Sequence, residues 1–138
     1  MNTGSCLCKG IRFKVNKFEP LVGHCHCTMC QKFHGAAFST FVEVKLHQFH
    51  WLSGKELLSS YTSENKTVRS FCNVCGASLF FESEYNRNDK TIEVSLAAFD
   101  HVDNIEGIKP DAHIFTESKA SWVEINDDLA KHKTYRSE

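Results

Sequence analysis

Residues 68–76 read Val68-Arg69-Ser70-Phe71-Cys72-Asn73-Val74-Cys75-Gly76, a short strand-like run that ends in a C-x-x-C-G turn. Such a turn points both sulfurs to one side, and the glycine permits the unusual backbone needed just after the second of them, so it reads as a zinc knuckle. A knuckle supplies two of the four ligands that a closed tetrahedral site requires. The chain must therefore bring a distant pair to it.

Two other groups offer sulfur, Cys6-Leu7-Cys8 and Cys25-His26-Cys27-Thr28-Met29-Cys30. The middle group places three cysteines within six residues, close enough to wrap one ion unaided, whereas Cys6 and Cys8 need partners from elsewhere. The economical partition puts Cys6, Cys8, Cys72 and Cys75 on one zinc and Cys25, Cys27 and Cys30 on a second. A four-thiolate site is closed and contributes folding free energy; a three-thiolate site keeps a fourth position for water, a side chain or a substrate. Three other readings stay open. The middle group also fits a redox dithiol, since C-x-x-C is the thiol-exchange motif. Both zincs fit a structural role if His24, His26 or His34 closes the second site. Buried cysteines are also ordinary small apolar residues. Seven is an odd count, so a full set of disulfides would strand one thiol.

Around these groups the patterning is that of strands. Period-two alternation marks Ile11-Arg12-Phe13-Lys14-Val15, Val42-Glu43-Val44-Lys45-Leu46 and Ile92-Glu93-Val94-Ser95-Leu96, each reading as half-buried. Weaker runs lie at 21–25, 49–52, 57–62, 68–72, 78–82 and 112–116, with turn-like pieces at 53–54 and 86–89. Helix signals are confined to 28–34, ending at Gly35, and to 127–131. Neither is long enough to cross over between parallel strands, so the pattern predicts a mainly β fold of antiparallel sheets joined by hairpins, with short helical turns and zinc knuckles. No repeat or linker interrupts it, and residues 1–138 read as a single domain.

Sixteen Lys and Arg against seventeen Asp and Glu leave no positive excess for a phosphate backbone, which argues against nucleic acid as the partner. No apolar run approaches the ~20 residues that span a bilayer, and no basic and hydrophobic leader precedes Cys6, so the expected compartment is the cytoplasm.

Gly4-Ser5-Cys6-x-Cys8-x-Gly10, Cys25-His26-Cys27-x-x-Cys30 with Gly35 and Phe38 beyond it, Phe71-Cys72-x-x-Cys75-Gly76 and a late Trp122 occur here in one order. In that order the chain resembles the glutathione-dependent formaldehyde-activating enzyme family, which includes centromere protein V. The resemblance implies an Mss4-like fold of antiparallel sheets folded over one another. It implies a structural zinc on Cys6, Cys8, Cys72 and Cys75 and a second zinc on Cys25, Cys27 and Cys30. For the founding members it implies a carbon-sulfur lyase activity, in which glutathione adds to formaldehyde to give S-hydroxymethylglutathione. On this reading a small thiol such as glutathione is the partner, His26 and His34 are the candidate bases with His24 behind them, and Lys32, Lys66 and Arg69 are cations for its carboxylates. The rival expectation is a zinc-stabilised protein-binding module, which an exposed patch of Phe33, Phe41, Phe49 and Trp51 would support.

Overall fold

In a computed structural model, residues 1–136 are described. Twelve strands occur among them: β1 (Asn2–Ser5), β2 (Arg12–Val15), β3 (Val22–Cys25), β4 (Ser39–Lys45), β5 (Phe49–Ser53), β6 (Leu58–Thr62), β7 (Val68–Cys72), β8 (Ser78–Glu82), β9 (Thr91–Ser95), β10 (Phe99–His101), β11 (Ala112–Ile114) and β12 (Ala130–Lys131). Two short helices, α1 (Thr28–His34) and α2 (Glu84–Asp89), complete the regular structure apart from single 3-10 turns.

The strands form two sheets, one in the order β10-β1-β2-β5 and one in the order β12-β11-β3-β4-β9-β8-β7-β6. Alternation does what it predicts in β2, where Phe13 and Val15 are buried and Arg12 faces solvent. Phe13 is the hub between the sheets, with the rings of Phe49, Phe80 and Phe99 all within 5.4 Å of its own. Trp51 packs edge-on to Phe49 and Phe80, and Phe41 to Phe81. Phe41 is thus buried, and Phe33, Phe49 and Trp51 are half-buried, so these four rings do not form one exposed aromatic patch of the kind that would favour a binding module.

Four local expectations change. Residues 127–131 carry β12 and no helix, because the Asp127 carboxylate accepts the Leu129 N–H and so competes with helical bonding. Strands β3 and β11 pair in parallel, as do β11 and β12, which makes the large sheet mixed. The crossover from β3 to β11 is made by most of the chain in place of a helix. The turn-like stretch 86–89 lies in α2, started by a capping box between Ser83 and Asn86. Finally, β4 and β9 are covered on their polar face as well, so that Glu43 is only 9% exposed and stands opposite Glu93.

Candidate metal centres

The two cysteine groups expected from spacing are assembled as two separate clusters. Within Cys6, Cys8, Cys72 and Cys75 every sulfur lies within 4.8 Å of every other, and the same holds for Cys25, Cys27 and Cys30. Four sulfurs at a zinc–sulfur bond of ~2.3 Å stand about 3.8 Å apart at the corners of a tetrahedron. Cys6 and Cys8 Sγ are 3.5 Å apart and Cys8 and Cys72 Sγ 3.9 Å, so the donor set fits that ion in kind and in spacing.

Two matched turns build the four-cysteine cluster. The Ile11 N–H points at Cys6 Sγ (3.2 Å) and the Val74 N–H at Cys72 Sγ (3.4 Å), so each turn gives its first sulfur a backbone hydrogen bond. Each turn then needs a left-handed residue, supplied by Lys9 at φ 68° and by Gly76 at φ 78°. Burial pushes the Cys75 thiol up, but the N–H groups of Ala77 and Cys8 and the neighbouring sulfurs outweigh it and bring it down to about 6. Gly54 locks the β5–β6 loop over the first turn: a Cβ there would sit 2.1 Å from the Gly10 carbonyl oxygen.

The three-cysteine cluster is made where β3 hands over to α1. Cys25 ends the strand, Cys27 is the N-cap whose sulfur accepts the Cys30 N–H (3.3 Å), and Cys30 lies in the first helical turn. Cys25 and Cys30 are buried against Phe41, Phe81, Ile114 and Phe115, and Cys27 is half-buried, so the cluster reaches solvent through Cys27. The Cys25 and Cys30 sulfurs hold the Cys27 thiol far below its ordinary range, helped by the Cys30 N–H and the Arg69 cation. The same contacts raise Cys25, whose proton a metal would displace. Arg69 is buried with Nη2 4.0 Å from Cys30 Sγ. Its charge would balance the single net negative charge of three thiolates around a divalent ion, which adds to the fit.

The histidines divide between two faces. His24 pairs in register with Thr40 and His113, and Cys25 with Ser39 and Ile114, so alternation sends them to opposite sides of the sheet. The rings of His24 and His26 both pack on Phe38 and His113. His34 is one helical turn beyond Cys30 on the same side of α1, and its ring meets Phe41, which packs on Cys25 and Cys30. Its Nε2 is buried without a hydrogen-bond partner, and burial, seconded by the Arg69 charge, lowers its pKa. Lys32 is exposed on α1; Lys66 is exposed too, and its carbonyl accepts a hydrogen bond from Arg87.

Sequence reasoning missed His113 and Asp127. The Asp127 carboxylate accepts from His113 Nε2 (2.9 Å), which leaves His113 Nδ1 to accept from His26 Nε2 (2.8 Å). His26 Nδ1 is then a bare acceptor, buried and unpartnered. Burial first, then His113, lowers the His26 pKa to about 4. The signal for this row lay in the parallel pairing of β3 with β11, which spacing along the chain does not carry.

A family model described as glutathione-dependent formaldehyde-activating enzyme matches residues 1–118. An uncharacterised lyase of Schizosaccharomyces pombe is 31% identical over 116 residues, covering 84% of this chain and 79% of that protein. A crystal structure of a Rhodobacter sphaeroides protein superposes with a TM-score of 0.62 at 19% identity, over 78% of this chain and 96% of that one, a likeness of fold.

Proposed function

The chain belongs to the glutathione-dependent formaldehyde-activating enzyme family, and from that premise we propose that it is a carbon-sulfur lyase acting on a thiol adduct of a small aldehyde, such as S-hydroxymethylglutathione. The observation that carries the reading is the inequality of the two clusters: four sulfurs complete one tetrahedral set, three leave the other short. Cys6, Cys8, Cys72 and Cys75 would hold a closed structural zinc that ties β1 to β7 and β8. Cys25, Cys27 and Cys30 would hold the second, and zinc there supplies a cationic position at which an incoming thiol is acidified.

The chain's own groups support the remaining chemistry. In the adding direction the thiol S–H proton passes to His34 Nε2, an unpartnered nitrogen on a ring that burial and the Arg69 cation keep neutral. The sulfur electron pair attacks the carbonyl carbon, a C–S bond forms, the C=O π bond opens, and the oxygen takes a proton back from His34. The lyase direction is the reverse. His34 is preferred to His26 because the His26 ring packs on Phe38 and His113 while that of His34 packs on Phe41 beside the cysteines. Arg69 Nη2, beside Cys30 Sγ, favours negative charge on the cluster's own sulfurs. A cytoplasmic location and a zinc at each cluster belong to the same proposal.

Exchange NMR on zinc-loaded protein with glutathione and formaldehyde tests it. The expected result is interconversion of free and hydroxymethylated glutathione faster than in the uncatalysed mixture, lowered by about 10²-fold or more in His34→Gln, the usual worth of a general base. Exchange no faster than without protein overturns the formaldehyde reading.

A further inference from the structure

Four half-buried residues pack around the buried trio of Cys25, Cys30 and Phe41: Cys27, Phe81, Ile114 and Phe115. Phe81 belongs to β8 and Ile114 to β11, so the large sheet fixes both. Phe115 has just left β11, and its backbone is left-handed at φ 56°, where an L side chain crowds its own carbonyl and a bulky one is rarely found. A conformer of that kind persists only where its surroundings over-determine it.

Those surroundings come from residues 130–136. The Phe115 N–H donates to the Thr134 carbonyl (2.9 Å), the Thr116 N–H and hydroxyl both donate to the His132 carbonyl (3.1 and 3.0 Å), and the Glu117 N–H donates to the Lys133 carbonyl (3.3 Å). The Tyr135 ring then meets the Phe115 ring edge-on, centroids 4.9 Å apart, although Tyr135 is itself 74% exposed. Arg136 anchors the end, donating to both carboxylate oxygens of Asp111 (2.7 and 3.3 Å) and to the Val22 carbonyl (3.2 Å). The stretch lies past residue 118, the last that the family model matches. With exposed side chains and few apolar contacts, it belongs to the class of segments that open well before the sheets do.

We propose that residues 130–136 are a strap that holds the Phe115 ring over the three-cysteine cluster, and that release of the strap opens the cluster's fourth position to an incoming thiol. The inference rests on the function proposed above for the zinc and the thiol. Phe115 is the gate; Tyr135 and Arg136 are positioning residues that act through it. The left-handed backbone supplies the drive: once the strap carbonyls let go, Phe115 relaxes out of φ 56° and its ring leaves the sulfurs. Closed, the ring keeps water from the thiolates.

Zinc extraction reads the gate without turnover. Zinc-loaded protein is mixed with 4-(2-pyridylazo)resorcinol, which reports released zinc by colour, and Cys27→Ser identifies the phase that belongs to the three-cysteine ion. Tyr135→Ala should speed that phase about tenfold, the worth of a good aromatic pair, and Arg136→Ala about fivefold, the worth of a partly exposed ion pair. The four-cysteine phase should keep the parent rate, and the Thr116 and Glu117 amides should exchange with deuterium faster in both variants. Phe115→Gly suits the left-handed backbone and removes only the ring, so it should speed the same phase at least as much, and adding Tyr135→Ala to it should change extraction no further. The proposal is overturned if neither strap variant moves the three-cysteine phase, if both phases quicken alike, or if Tyr135→Ala keeps its full effect without the Phe115 ring. Uncatalysed thiol exchange with these results intact would count against the formaldehyde chemistry alone. Catalysed exchange with the phase unmoved by Tyr135→Ala would count against the strap alone, and a parent that holds one zinc would overturn both.

Discussion

Replacing Glu93 by Gln should stabilise the protein near pH 8 and change little near pH 5. Glu93 stands opposite Glu43 in the β4–β9 ladder, where like charges destabilise a sheet. Burial pushes the Glu93 carboxyl from an ordinary value of 4.5 up to about 7; the Asn86 amide at 2.9 Å pulls it down, Glu43 pushes it up, and the Arg136 cation opposes weakly. Thr91 Oγ1 donates to Glu43 at 3.3 Å, and the Tyr85 phenol, raised by burial and then by Glu43, stays protonated. Because the folded pKa is the higher one, the unfolded chain releases this proton first. The stabilising contribution is full below 4.5 and is lost as pH rises through about 7. At about 1.4 kcal/mol for each tenfold change in proton affinity, the loss comes to about 3 kcal/mol at most. A glutamine accepts the same Asn86 bond through its carbonyl and carries no charge. Urea unfolding at fixed free zinc, for both proteins from pH 5 to 8, isolates the difference from metal release, which affects both alike. The variant should gain on the parent by up to about 3 kcal/mol across that window. A difference independent of pH, or one that shrinks as pH rises, would refute the reasoning.

Cys72→Ser and Cys27→Ser should part company: the first should cost most of the folded population, seen as collapsed amide dispersion in NMR, while the second should keep the fold and lose one zinc by elemental analysis. A chelator should likewise remove the two ions from the parent at clearly different rates, the three-cysteine ion first. Gly54→Ala should destabilise by more than the ~1–2 kcal/mol that a left-handed alanine costs, because its Cβ also meets the Gly10 oxygen at 2.1 Å; chemical unfolding measures it, and a value within that strain alone would mean the loop moves freely. Asp127→Asn should release the histidine row, moving the neutral proton of His113 off Nε2, and long-range 1H–15N spectra of the ring nitrogens report that tautomer directly.

The grouping of the cysteines was legible because it is local. The C-x-x-C-G spacing of Cys72 and Cys75 dictates a turn whatever surrounds it, and three sulfurs within six residues converge with little help from the fold. The half-buried strands were legible in part: Phe13 and Val15 obey their alternation, but Glu43 and Glu93 do not stay wet, since α2 and its Asn86 close over them. That cover forms from residues 84–89, whose Asn and Asp content reads as a turn until Ser83 and Asn86 cap each other. Strands β1 and β10 are held by their partners across the small sheet and have no apolar pattern of their own.

What alternation along β3 does decide is which groups can serve the three-cysteine cluster. Cys25 falls on the side of Ser39 and Ile114, and His24 on the side of Thr40 and His113, so the row that ends at Asp127 is built on the face away from the sulfurs. Its hydrogen bonds link His26, just past β3, to His113 on β11 and to Asp127. Under the proposed function, acid–base help for a thiol comes from the helix instead, since Cys27 caps its start, Cys30 lies in its first turn and His34 is its last residue. A seven-residue helix is just long enough to return a side chain to the face on which it began, one turn on from Cys30. Lengthening the 31–33 segment by one residue would turn His34 by about 100° away from Phe41. Under the proposed function that insertion should abolish exchange while both zincs stay bound; undiminished exchange would remove His34 from the mechanism.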